Sequence, residues 1–158
     1  MAASAFDEIE FFRAIQASGA RALLIGRRAL VLLGLPVLTA DYGFWIGIDD
    51  IARFNAACQP FGLVPTRTPE EARRAGRYVL ENDEHVDVLV ARSVPVVGQG
   101  PAVAFDALWA ARCTIGLRDG VVVSTPSIDG LILTKQIAAR PNDLEDIRLL
   151  RALGAPGD

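Results

Sequence analysis

The sequence has no basic tract. Its formal net charge is -3 and its pI is about 5.2. It therefore lacks the electrostatic footprint by which proteins hold duplex nucleic acid, and no such partner is expected. It also has no apolar run long enough to cross a bilayer. The longest, Ala29 to Ala40, falls short of the ~20 residues a spanning helix needs and contains Pro36, so no membrane partner is expected. Cysteine is scarce: Cys58 and Cys113 show no metal-ligand spacing and form no disulfide framework. Each reads as a small buried hydrophobe. The start, Phe6-Asp7-Glu8-Ile9-Glu10-Phe11-Phe12, is acidic and aromatic. A signal peptide needs a basic start and an apolar middle. Together these absences point to a reducing cytoplasm. No repeat, linker or low-complexity segment is evident.

What is present is globular. Half the residues are hydrophobic and 22% are charged, which is outside the disordered class. The length suits one domain over residues 1–158 with an ordered core over about 6–153. Ser4 and Asp7 have capping-box spacing ahead of apolar residues at Ile9, Phe12 and Ile15, and Gly19 closes that helix. Ala22 to Ile25 reads as a buried strand and Gly26 as a turn into a helix that ends at Gly34. Asp41 to Ile48 reads as a second strand. Asp49 is the expected cap of a helix carrying Ile51, Phe54 and Cys58. Thr68-Pro69-Glu70-Glu71 opens another helix, which Gly76 stops. Arg77 to Leu80 reads as an edge strand, Asn82-Asp83 as a turn and His85 to Val90 as a strand. Gly98 to Pro101 is a loop and Val103 to Cys113 a helix. Asp119-Gly120 signals a hairpin between Thr114–Leu117 and Val121–Ser124. Ser127 caps a helix through Arg140, a last helix runs from about Asp143 to Leu153, and the tail after it frays.

The run from Ile25 to Ile46 carries the strongest motif. It reads as strand, glycine turn, short helix, loop and a strand opening on Asp41. This resembles the signature of the nucleotidyltransferase fold. There a hydrophobic residue, Gly, and Gly or Ser begin a helix. Roughly a dozen residues later a strand carries Asp, a hydrophobic residue, and Asp or Glu. Here thirteen residues, Arg28 to Ala40, separate Gly26-Arg27 from Asp41. Two positions depart from the pattern: Arg27 stands at the second small residue and Gly43 at the second carboxylate. The resemblance implies an α/β (α+β) fold, a mixed sheet flanked by helices, with C-terminal helices.

Nucleotidyl transfer moves a charged phosphoryl group, and its barrier is largely electrostatic. Two divalent metals held by carboxylates are the usual solution. Mg²⁺ takes one or two hard carboxylates plus phosphate oxygens and water. Positions i and i+2 of a strand share a face roughly 6–7 Å apart, which suits such ligands. Asp41 is the first candidate and Asp87, in Val86-Asp87-Val88, the one from a neighbouring strand. Asp49 and Asp50 cannot replace the missing acid, because they lie roughly 20 Å along the chain from Gly43 at strand rise. His85, the single histidine, falls on the Asp87 face by alternation.

Gly26, Arg27 and Arg28 form the candidate phosphate turn. Two arginines at a helix start oppose the helix dipole, which argues for an anionic partner. The C-terminal stretch, Ser127 to Lys135 and then Ala139 to Asp146, resembles the closing helices of small bacterial stand-alone and toxin-type nucleotidyltransferases. That resemblance gives Lys135 a role toward nucleotide phosphates, and gives Arg140, Asp143 and Asp146 a role in holding helices together. The expectation is a nucleotidyltransferase-fold protein with a degenerate active site, impaired in catalysis, retaining nucleotide (NTP) or single-metal (Mg²⁺) binding through Asp41, Asp87 and Lys135. One alternative is an active enzyme moving a nucleoside monophosphate to a protein, RNA or small acceptor. The other is a non-enzymatic module that binds a protein partner or a second copy through an apolar surface, with Trp45 and Trp109 as its aromatics.

Overall fold

The computed structural model describes residues 6–96, 100–137 and 140–154. Its frame is a five-stranded sheet of β1 (Ala22–Ile25), β2 (Asp41–Ile46), β3 (Val64–Pro65), β4 (Arg77–Glu81) and β5 (His85–Leu89). The spatial order is β1-β2-β5-β4-β3. The β2–β5 pair is parallel and the other pairs are antiparallel, so the sheet is mixed. The expected edge strand at Arg77 to Leu80 is in fact internal, because the two-residue β3 takes the edge beside it. Val64-Pro65 is too short to show a period of two, and proline suits an edge position.

Local chemistry explains the helices. Helix α1 (Glu8–Ser18) starts where the Asp7 carboxylate accepts the Glu10 N–H, and it ends at left-handed Gly19. Helix α2 (Gly26–Leu32) follows β1 directly. Helix α3 (Ile51–Cys58) begins after Asp50, not Asp49, and the Asp50 side chain turns away from the cap to hold Arg21 at 3.1 Å. Helix α4 (Pro69–Ala75) carries the reciprocal Thr68–Glu71 capping box.

A two-residue pair of β6 (Ser93–Val94) and β7 (Val103–Ala104) replaces the first turn of the helix expected at Val103. Helix α5 is therefore only Phe105–Ala110. Cys113 belongs to β8 (Cys113–Gly116), which pairs with β9 (Val122–Thr125) across the Asp119-Gly120 turn. Helix α6 is Ile128–Gln136, capped by Ser127 and shorter than expected, and α7 is Pro141–Gly154. Ser4, Gly98, Gln99, Ala139 and the tail 155–158, which carried expectations above, lie outside the described residues.

The sheet separates two apolar layers. Tyr42, Phe44 and Ile46 of β2 point into the larger one, with Phe11, Phe12 and Phe54 from α1 and α3. Phe11, Phe44 and Phe54 meet edge to face there, with centroids 6.0 and 5.2 Å apart. Trp45 points to the opposite face, where it packs with Leu23, Phe105 and Leu108. By alternation Asp41 and Gly43 share the Trp45 face. That face is dry beneath α5 and polar at the end where β2 begins.

Candidate functional site

The β2–β5 register builds the floor of the site. Asp41 lies beside His85, and Gly43 lies beside Asp87. All four residues are on one face, so two carboxylates and a glycine meet there. Gly43 keeps an ordinary backbone conformation. A Cβ added there would meet the Ile25 carbonyl oxygen at 3.4 Å and Ile25 Cγ1 at 3.6 Å, which are ordinary contacts. Neither backbone nor space demands glycine at this position. Gly26 is different: its φ of +73° lets β1 turn into α2, which a side chain would resist.

A cleft of about 610 Å³ opens over this floor. Gly26, Arg27, Asp41, Asp87 and Lys135 line it, so the structure brings those sequence candidates together. A groove of about 330 Å³ continues from Gly43 and Asp87 to Arg77 on β4. Arg28 is set apart from the cleft. Its guanidinium donates to the Thr39 carbonyl at 3.1 Å, lies 4.3 Å from the Tyr42 ring centroid and approaches Glu8 at 3.7 Å. It fastens the loop before β2 to α1. Tyr42, which donates to Glu8 at 3.3 Å, has its hydroxyl pKa pushed up by burial and by that carboxylate.

The acids of the cleft fall into two groups. Asp41 makes no ion pair among the described residues; its own N–H is held by the Thr39 hydroxyl at 3.1 Å. Asp87 Oδ1 lies 3.2 Å from His85 Nε2, and His85 Nδ1 lies 3.5 Å from Glu81. Partial burial opposes the charge on His85, but Asp87, Asp41 and Glu81 outweigh it and raise its pKa above the usual imidazole value.

The second group is closed on itself. Asp146, fully buried, accepts Arg27 Nε at 3.1 Å, Arg27 Nη2 at 3.2 Å and Lys135 Nζ at 2.8 Å. Asp143 lies 3.5 Å from Lys135 Nζ and accepts the Arg140 backbone N–H at 3.1 Å and its Nε at 3.2 Å. Burial opposes the Asp146 charge, but the hydrogen bonds and charges of Lys135 and Arg27 prevail and lower its pKa. The sequence reading put Asp143 and Asp146 on a helix with a role in holding helices together; it did not place them in the cleft wall, where the structure pairs them with Lys135.

Chemically, the floor offers two carboxylates, one of them occupied by an imidazole. Among the described residues no three His, Cys, Asp or Glu side chains form a metal-binding group. Asp41 and Asp87 supply the one or two carboxylates that a single Mg²⁺ ion takes, with water or phosphate to complete its shell.

No protein-family model matches the sequence, and no curated protein matches it. Solved structures do. The solution structure of the antibiotic-resistance factor ANT(2'')-Ia superposes with a TM-score of 0.63 at 16% identity, covering 93% of this chain and 84% of that one. Its crystal structure in complex with adenylyl-2''-tobramycin gives 0.62 at 16% identity, covering 92% and 86%. A Thermotoga maritima protein assigned as a nucleotidyltransferase gives 0.59 at 12% identity, covering 88% and 86%. The strand order, the turn at Gly26 and these superpositions agree: the chain has the nucleotidyltransferase fold.

Proposed function

We propose that this is a nucleotidyltransferase-fold protein impaired in nucleotidyl transfer, whose cleft still takes a nucleoside triphosphate with a single Mg²⁺ ion. One observation carries the reading: Gly43 lies beside Asp87 on the cleft floor, at the position of the motif's second carboxylate, and among the described residues the cleft acids other than Asp41 and Asp87 are already paired. Asp143 and Asp146 are held by Lys135, Arg27 and Arg140. Supplying a different acid would require one of those pairs to break. Asp41 and Asp87 would hold the remaining ion, which neutralises phosphate charge when bound.

A nucleotide ligand is supported by the fold and by the adenylyl group in the ANT(2'')-Ia complex. The chain's own residues bind and orient: the Gly26 turn opens the cleft floor and Asp87 is oriented by His85. No helix is long and apolar enough to cross a membrane among the described residues. The test is calorimetric titration of each nucleoside triphosphate with Mg²⁺ into the native protein, Asp41→Asn and Asp87→Asn. Weak metal-dependent binding by the native protein, lost in both variants, is the expected result. Binding that ignores both substitutions would put the ligand elsewhere.

A further inference from the structure

Arg27 and Lys135 come from α2 and α6, and both aim at one carboxylate from α7. Three N–H groups hold Asp146 at 2.8, 3.1 and 3.2 Å, in the manner of a recognised anion. Lys135 is itself more than nine-tenths buried, so the ammonium is pre-positioned instead of sampling solvent. All three residues line the cleft. The local charges do not cancel: Arg27, Lys135 and Arg140 bring three positive charges, and Asp143 and Asp146 bring two negative ones. The excess cation belongs to this wall alone, because Asp41 and Asp87 make the floor of the same cleft negative. Arg27 also stands at the position where the motif has a small residue, so the bulk that crowds the phosphate turn is the same side chain that grips Asp146.

We infer that Arg27, Lys135 and Arg140 form an anion site whose deepest donors are filled in cis by the Asp146 carboxylate of α7, so that a phosphate chain enters only by displacing it. This rests on reading the cleft as a nucleotide site and names what blocks it: a tethered carboxylate in the place of a phosphate. The exchange is of one anion for another, and no covalent bond is made or broken.

The probe is inorganic pyrophosphate with a chelator present, measured by calorimetry on the native protein, Asp146→Asn and Asp146→Ala. Without metal or nucleoside, Asp41 and Asp87 can only repel the probe, and they do so in native and variant alike, so the difference between the proteins is separate from the test of nucleotide binding. Asp146→Ala is expected to bind pyrophosphate at least about tenfold more tightly than the native protein. Adding Lys135→Met or Arg27→Met to that variant should remove the gain. No tightening in a folded Asp146 variant would overturn the inference, as would tightening that survives either added substitution. Loss of folded structure in both Asp146 variants, seen by circular dichroism, would also overturn it, because a carboxylate that the fold requires is a structural ion pair and not an occupant.

Discussion

Lys135→Met tests the energetics of the cleft wall. The ammonium is buried and lies 2.8 Å from fully buried Asp146 and 3.5 Å from Asp143. Methionine keeps the length and apolar stem but leaves Asp146 with Arg27 alone and Asp143 with Arg140 alone. Breaking a buried ion pair by removing one partner costs about 3–5 kcal/mol. Because both acids keep a second cation, the expected loss is at the low end, about 3 kcal/mol. With a urea m-value of about 2 kcal/mol/M, the midpoint should fall by about 1–2 M, followed by the fluorescence of Trp45 and Trp109. The loss should also depend on pH. The folded pKa of Asp146 is depressed, so its contribution is present above the unfolded value of about 4 and disappears as pH falls through the folded value. The gap between native and variant should therefore be full at pH 7 and narrow in acid. A midpoint shift below about 0.3 M, or one of equal size at pH 7 and in acid, would refute this account of the pair.

Further consequences are independent of that one. His85 is the single histidine, so its ring proton resonances report one titration. Its midpoint should lie above the usual imidazole value, and Asp87→Asn should lower it; an unchanged midpoint would separate His85 from the cleft floor. Because the folded pKa is raised, the His85–Asp87 contact contributes below the unfolded value of about 6.5 and is lost as pH rises through the folded one. Cys58 is buried with its thiol pushed up to about 12, whereas Cys113 is exposed. A thiol reagent should therefore modify one cysteine quickly in the folded protein and two in denaturant; two fast thiols would contradict the packing around α3.

Much of the fold was legible because its signals are local. Gly19 and Gly76 stop helices by adopting the left-handed conformation, and Thr68 and Glu71 satisfy each other across one turn. The motif spacing put Asp41 on a strand, and alternation put His85 and Asp87 on one face. What stayed hidden was tertiary. Arg27 and Asp146 are 119 residues apart in sequence, and nothing in either neighbourhood announces the pair. Arg28 read as a phosphate ligand because it sits beside Arg27, but one step around a helix turns a side chain about 100° and sends it to Thr39 and Tyr42 instead. Asp50 and not Asp49 is the helix boundary, and its side chain is taken by Arg21, 29 residues earlier and just before β1. The short β3, β6 and β7 pairs offer too few residues for any period to show.

Gly43→Asp tests the central claim most directly. The site has room for the Cβ, and the new carboxylate would join Asp41 and Asp87 on one face of the sheet. Titration of ATP, GTP, CTP and UTP, each with Mg²⁺ and with Mn²⁺, into the native protein and this variant gives the comparison. The account predicts weak metal-dependent binding by the native protein and binding at least about tenfold tighter in Gly43→Asp. Tight metal-dependent binding by the native protein, with no gain on restoring the acid, would contradict it and make the native cleft a competent nucleotidyltransferase site.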